Sequence, residues 1–159
     1  MKVFNHLKKL IFISFLLFSN NLYAEEEKIV KNENILGDPS APNILVEYAS
    51  LSCVHCANFH NKKLPEIKDK LIKTGKLKYI YKDFPLDLPA MLASMVARCY
   101  EGEQFYSVLN SLFINQKKWV ASSNNREDLF KSFHQILKQH GITKEKINFC
   151  AAENELNKK

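Results

Sequence analysis

The sequence lacks several features by which large classes of function are recognised. It has only 4 glycines, and none of them builds the glycine-rich loop that cradles phosphates in nucleotide-binding proteins. It has no internal repeat and no low-complexity tract. Its lysines alternate with acidic residues, and no basic stripe is interleaved with aromatic side chains. Nucleic-acid binding is therefore disfavoured.

The sequence also lacks a hydrophobic run long enough to span a bilayer. The apolar run at 10–18 has nine residues including Ser14, whereas a spanning helix needs about 18 or more. Lysines precede this run, and Ala24 offers a small residue before an acidic stretch. Residues 1–24 are therefore predicted to be a secretory signal peptide, with a transmembrane anchor as the weaker alternative. The formal charge without them falls from +6 to +3, because they hold three lysines and no acid.

Cysteine is scarce, but two of the 4 cysteines form a Cys-x-x-Cys motif at 53–56. An exported chain lies in an oxidising compartment, where an even number of cysteines favours disulfides. On the first turn of a helix, thiols at this spacing come close enough to bond. The free N–H groups of the helix favour a thiolate on the leading cysteine, Cys53. This pattern indicates redox chemistry; a static clip or half a zinc site is the structural alternative.

The motif lies where an apolar run gives way to a helical pattern. The nearly continuous apolar character of residues 44–49 predicts a strand buried on both faces of a parallel sheet. A helical stripe follows, formed by Phe59, Leu64, Ile67 and Leu71. Pro65 should kink or restart this helix. Residues 77–82 alternate as a second strand, so a right-handed βαβ unit with parallel strands is expected.

From Asp87 onward the apolar pattern is helical. Pro89 suits the first turn of the first of four predicted helices, and Thr143 can cap the last. Trp119 lies in the connection after the second helix and is expected to be a packing anchor. The chain therefore combines a βαβ unit with a helical block in one α/β domain.

These features together resemble the DsbA family of periplasmic thiol:disulfide oxidoreductases, in its bacterial thioredoxin-like branch. The shared features are the signal peptide, the Gly-Asp-Pro turn at 37–39, the strand, the Cys-Val-His-Cys motif at the strand-to-helix junction and the helical block. The resemblance covers about residues 34–156. It implies a thioredoxin-like domain at 25–159, with the βαβ unit at 34–84 and a helical insertion at 87–156.

The resemblance also assigns roles to the residues of the motif. Cys53 would be the exposed attacking thiol and Cys56 the buried resolving thiol. Their disulfide would pass to reduced or unfolded exported proteins through a mixed disulfide on Cys53, and a membrane redox partner would reoxidise the pair. No cofactor is implied. His55 can supply a positive partner or an N–H donor beside the sulfur of Cys53; its alternative is an ordinary exposed helix residue.

Glu47 matches the family's buried acid beneath the active-site helix. A carboxylate within an apolar strand should be desolvated, with a raised pKa suited to moving a proton during exchange. Its alternative is a solvent-facing strand residue. Cys99 and Cys150 lie on apolar helix faces, and some members of the family resemble this arrangement, with a second, structural disulfide. Two free buried thiols are the alternative.

His60, four residues after Cys56, permits a metal site together with Cys53 and Cys56. No fourth ligand is evident nearby, so metal binding is disfavoured. The remaining histidines are expected to be unrelated to the site: His6 lies in the leader, and His134 and His140 are expected on helix surfaces.

The prolines mark a departure from the family pattern. Members of the family continue after the helical block with a strand hairpin, preceded by a cis-proline that faces the cysteines. The last proline here is Pro89, and none comes after the block. A C-terminal truncation is therefore expected, with an unpaired edge on the strand that bears Glu47. An active oxidoreductase is favoured; an inactive fragment and a metal- or client-binding module are the alternatives.

Overall fold

The computed structural model describes the backbone of residues 33–156 and the side chains through residue 152, so the predicted signal peptide at 1–24 lies outside the described residues. The strands are β1 (Ile35–Leu36), β2 (Asn43–Ala49) and β3 (Leu77–Asp83). The helices are α1 (Val54–Lys62), α2 (Leu64–Ile67), α3 (Leu88–Arg98), α4 (Gly102–Ile114), α5 (Gln116–Ala121), α6 (Arg126–Leu137) and α7 (Lys144–Leu156). Within these residues, no helix combines the length and the apolar character needed to cross a bilayer.

The strands form one sheet in the order β1-β3-β2. β2 and β3 are parallel, with Val46 opposite Ile80, and β1 pairs antiparallel with the other side of β3. The predicted α/β class and the predicted parallel pair are both confirmed. All strands of the described chain lie before residue 84, and the described residues after that point are mostly helical.

The two faces of β2 differ in burial. Leu45, Glu47 and Ala49 share the inner face, which is half-buried to buried. Ile44 and Tyr48 lie on the opposite face, where Tyr48 is 68% exposed. The prediction that this strand is buried on both faces is therefore wrong. An apolar run shows that both faces of a strand could be buried. Whether they are buried depends on elements that pack against each face of the sheet, and the run itself does not show these elements.

The helical connection from β2 to β3 is interrupted next to Pro65, as the sequence predicts. α1 ends at Lys62, and α2 begins at Leu64 with Pro65 in its first turn, where the missing N–H is tolerated. A π-helical turn, Lys68–Ile72, comes next and adds about one residue to the turn. As a result Ile72 is buried and Leu71 is 39% exposed. The predicted core position of Leu71 is therefore wrong by one residue.

The helical block is capped and packed largely as the sequence predicts. Asp87 caps α3 by accepting a hydrogen bond from the N–H three residues on, at 2.7 Å, and Pro89 lies in the first turn. The Thr143 hydroxyl caps α7 in the same way, at 3.2 Å. Trp119 is fully buried and donates its indole N–H to the Leu112 carbonyl, at 2.8 Å. It is the expected packing anchor, but it lies in the short helix α5 rather than in an irregular connection.

A disulfide closes this block. Cys99, directly after α3, is bonded to the buried Cys150 of α7, with an S–S distance of 2.05 Å and a Cα–Cα distance of 5.8 Å. The bond ties the first helix of the block to its last. The structural disulfide that the family resemblance implied is thus present, and the alternative of two free thiols is not what the structure shows.

Candidate active site

The redox motif lies at the point where β2 turns into α1. The Tyr81 hydroxyl donates to the Ala49 carbonyl at 2.9 Å and fixes the end of the strand. The Cys53 N–H then donates to the Ser50 carbonyl at 3.1 Å, which closes a tight turn. Cys53 is the N-cap of α1, and its carbonyl accepts the first helical hydrogen bond, from the Ala57 N–H at 3.0 Å. The turn therefore places the Cys53 side chain at the start of a helix.

The start of the helix favours the thiolate of Cys53. The backbone N–H of Cys56, and to a smaller extent that of His55, lowers the pKa of the Cys53 thiol below its usual range, and partial burial opposes this effect. Both N–H groups belong to the first turn, whose donors have no partner within the helix. Cys53 is therefore the thiol of the pair that ionises first.

Cys56 has the opposite tendency. Burial raises the pKa of the Cys56 thiol, and its neighbour Cys53 and the charge of Glu47 raise it further. Both thiols are free and half-buried. The structure therefore does not show the predicted contrast between an exposed Cys53 and a buried Cys56. The two thiols differ instead in their electrostatic surroundings, which stabilise a negative charge on the sulfur of Cys53 and destabilise one on the sulfur of Cys56.

Glu47 lies on the inner face of β2 and has a specific partner. The Tyr79 hydroxyl donates to its carboxylate at 2.5 Å. Burial raises the pKa of Glu47, and the hydrogen bond from Tyr79 opposes this rise. Tyr79 is fully buried, and burial together with Glu47 raises the pKa of its hydroxyl, so it remains a donor. The solvent-facing alternative for Glu47 does not describe this arrangement.

His55 is exposed on the first turn of α1. Its backbone N–H contributes to the low pKa of Cys53. A role for its imidazole ring stays a prediction.

His60 belongs to the core rather than to the redox pair. It is 4% exposed, and its ring stacks on Phe113 with a centroid distance of 4.4 Å. Burial lowers the pKa of His60 to about 4, so the ring is neutral at physiological pH. Among residues 33–156 no cluster of three or more His, Cys, Asp or Glu side chains is arranged to hold a metal ion. The structure therefore does not assemble the alternative metal site of Cys53, Cys56 and His60.

Another histidine differs from its predicted environment. His140 is half-buried, and its Nε2 is hydrogen-bonded to the Ser111 hydroxyl at 2.7 Å. It was expected on a helix surface; it lies instead in a 3-10 turn, Lys138–His140, directly after α6, and its side chain joins this turn to α4.

Sequence reasoning missed two residues of the site. Tyr79 sits on β3 in register with Leu45, and only the parallel pairing brings its hydroxyl to Glu47. Gln116 of α5 donates to backbone carbonyls of the redox turn, including that of Cys53, 63 positions earlier in the chain. A strand tyrosine and a helix glutamine carry no local signal of such contacts, so the fold had to be known first.

Sequence comparisons identify the family of this chain and several of its relatives. The family model described as Thioredoxin matches residues 30–158. A relative from Rickettsia bellii, which carries the name of a protein-disulfide oxidoreductase, is 31% identical over 130 residues, or 81% of this chain and 49% of the relative. A relative of the same name from Rickettsia conorii is 34% identical over 124 residues, or 77% and 43%. The chain spans about half the length of these curated relatives.

Solved structures show the same fold. The crystal structure of Wolbachia pipientis alpha-DsbA1 matches with a TM-score of 0.69 and 34% identity, over 79% of this chain and 62% of that one. The protein-disulfide isomerase from Novosphingobium aromaticivorans has the same TM-score at 20% identity, over 80% and 76%, and shows the fold alone. The resemblance found in the sequence is therefore confirmed. The chain belongs to the thioredoxin family, as one of its DsbA-like members.

Proposed function

We propose that this chain is a thiol:disulfide oxidoreductase that transfers the Cys53–Cys56 disulfide to exported proteins in the periplasm. The observation that carries the proposal is the asymmetry of the two thiols. The start of α1 lowers the pKa of Cys53, while burial and nearby negative charge raise that of Cys56. The names of the Rickettsia relatives and the likeness to alpha-DsbA1 support the same activity.

The transfer takes two exchanges. A substrate thiolate attacks the sulfur of Cys53, the Cys53–Cys56 bond breaks, and Cys56 leaves as a thiolate that takes up a proton. The second substrate thiol loses its proton and attacks the mixed disulfide, which forms the substrate disulfide and releases Cys53 as a thiolate. The substrate loses two electrons, and the enzyme pair gains them. A stabilised Cys53 thiolate favours this direction, because it makes the reduced enzyme the more stable form.

Glu47 and His55 are assigned supporting roles. Cys56 must gain a proton in the first exchange and lose it on reoxidation, because its pKa is raised. Glu47 acts electrostatically on this thiol and has a raised pKa of its own, so it is the group proposed to move that proton. The exposed imidazole of His55 is proposed to add a donor or a positive charge beside Cys53.

The compartment and the redox cycle complete the proposal. Residues 1–24 carry the signal-peptide pattern, and a thiol pair that oxidises its substrates works in an oxidising compartment. A membrane redox partner would accept the two electrons and restore the disulfide.

One assay tests the proposed activity. Residues 25–159 are compared with the Cys53→Ala variant in oxidative refolding of a reduced, disulfide-containing substrate, with Asn58→Ala on the exposed face of α1 as the matched control. We expect turnover by the wild-type protein and the control, and none by Cys53→Ala. Turnover that survives Cys53→Ala rejects the redox assignment. If none of the proteins shows turnover, the proposed activity is also rejected. Strong binding of a dye that detects exposed apolar surface would then favour the alternative of an inactive fragment.

A further inference from the structure

A buried glutamine from the helical block contacts the turn that carries Cys53. Gln116 begins α5 and is 6% exposed, whereas the two lysines after it are exposed. A buried amide must find hydrogen-bond partners, because it gives up those it had in water. Its partners therefore show what this side chain does.

Both partners are backbone carbonyls of the redox turn. The Gln116 Nε2 donates to the Leu51 carbonyl at 2.7 Å and to the Cys53 carbonyl at 2.9 Å. An amide nitrogen has two N–H donors, so these bonds use both. The two carbonyls flank Ser52, and the amide thus spans the step from the end of β2 to the start of α1.

We propose that Gln116 is a positioning residue for the redox centre, which holds the turn so that the first N–H groups of α1 face the sulfur of Cys53. The purpose assigned to Gln116 rests on the proposed function, whereas its hydrogen bonds to the turn do not. The Cys53 carbonyl accepts from both Gln116 and the Ala57 N–H, so it is held from the helical block and from α1 together. The orientation of that peptide determines where the Cys53 side chain lies relative to α1.

The donor itself matters, beyond the space that the side chain fills. The positive end of the amide dipole lies against the backbone of Cys53 and adds to the field of the helix start. Methionine has a similar length and no donor, and glutamate has the same shape but only acceptors when ionised. These two replacements therefore separate packing from hydrogen bonding.

The other titratable groups near the pair are not substituted in such variants. The thiol of Cys56 acts on Cys53 from α1, as do the backbone N–H groups of Cys56 and His55. Glu47 from β2 acts on Cys56, and Tyr81 from β3 interacts with Cys56. In the described structure, Gln116 forms no hydrogen bond with Cys56, His55, Glu47 or Tyr81. A change in the ionisation of Cys53 would therefore be assigned to the lost donor.

The test measures the rate of Cys53 alkylation by iodoacetamide against pH, with mass spectrometry to separate the Cys53 and Cys56 adducts. The reduced wild-type protein is compared with Gln116→Met, Gln116→Glu and the exposed control Gln104→Met, each with its thermal unfolding curve. We expect Gln116→Met to move the midpoint to higher pH and to slow alkylation of Cys53 at pH values below the midpoint by about threefold to tenfold. This factor corresponds to the net free energy of a typical hydrogen bond. Gln116→Glu should have a larger effect, and Gln104→Met none.

An unchanged midpoint in folded Gln116→Met overturns the proposal. If neither Gln116 variant folds, the wild-type protein decides it. The side-chain amide resonances of Gln116 should then titrate with the Cys53 midpoint, and resonances that do not move contradict the contact. This outcome is independent of the refolding assay. A protein that shows the Gln116 effect without turnover retains the positioning role and loses the proposed function.

Discussion

Replacing Glu47 with glutamine is expected to stabilise the folded protein at neutral pH and to have little effect in acid. Glu47 is half-buried on the inner face of β2, and Tyr79 donates one hydrogen bond to it. Its pKa is raised because burial outweighs that bond. Glutamine keeps an oxygen that can accept from Tyr79, and it removes the charge that burial disfavours.

The sign of the effect is set by proton binding. The usual pKa of this carboxyl is 4.5, and the folded value lies above it. The folded state therefore holds its proton to higher pH than the unfolded state, so stability falls as pH rises from about 4.5 through the folded pKa. Above that range the full cost of the buried charge is present. Glu47→Gln should remove this cost and also the pH dependence; because Glu47 is only half-buried, solvent screening keeps the gain within about 1 kcal/mol.

Urea unfolding followed by circular dichroism measures the effect. The free energy of unfolding of wild type and Glu47→Gln is compared at pH 4 and pH 7.5, with the exposed Glu103→Gln as control. We expect a gain at pH 7.5 that shrinks towards zero at pH 4, and no such gain in the control. An equal change at both pH values would refute the reasoning, because a charge effect must disappear when the carboxyl is protonated. A loss of stability at pH 7.5 would refute it as well.

The remaining predictions concern the helical block. Replacing Cys99 and Cys150 together with serine should lower the free energy of unfolding by about 2–4 kcal/mol, because the bond closes a sequence separation of 51 residues. Urea unfolding measures the loss, and an unchanged midpoint would show that the disulfide does not constrain the unfolded chain. Trp119→Phe should cost about 1–3 kcal/mol, because the buried Leu112 carbonyl loses its donor. Thermal unfolding by circular dichroism checks this, and a neutral result would mean that the carbonyl finds another partner.

The local part of the fold could be predicted from the sequence because its signals are local. The apolar run at 44–49 and the alternating run at 77–82 predicted the parallel strands. Pro65 predicted the break in the helix between them, and Thr143 the cap of α7. In each case the deciding chemistry lies within a few residues: a missing N–H, a hydroxyl near the free donors of a first turn, or an apolar period.

The features that could not be predicted depend on tertiary partners. Tyr48 is apolar enough to be covered, but its burial depends on a layer that the strand itself does not provide. Ile72 rather than Leu71 lies in the core, because one π-helical turn shifts the buried position by one residue. The Cys-x-x-Cys motif located the site, but Gln116 and Tyr79 reach it only through contacts between distant segments.

The first N–H groups of α1 lower the pKa of the Cys53 thiol, and the proposed chemistry depends on this property. Its most direct test is the 240 nm thiolate absorbance of Cys56→Ala as a function of pH. In this variant Cys53 is the only free cysteine among residues 33–156, and the backbone N–H of position 56 is retained. We predict a midpoint below that of free cysteine, about 8.5. A midpoint at or above that value would contradict the acidic character of Cys53.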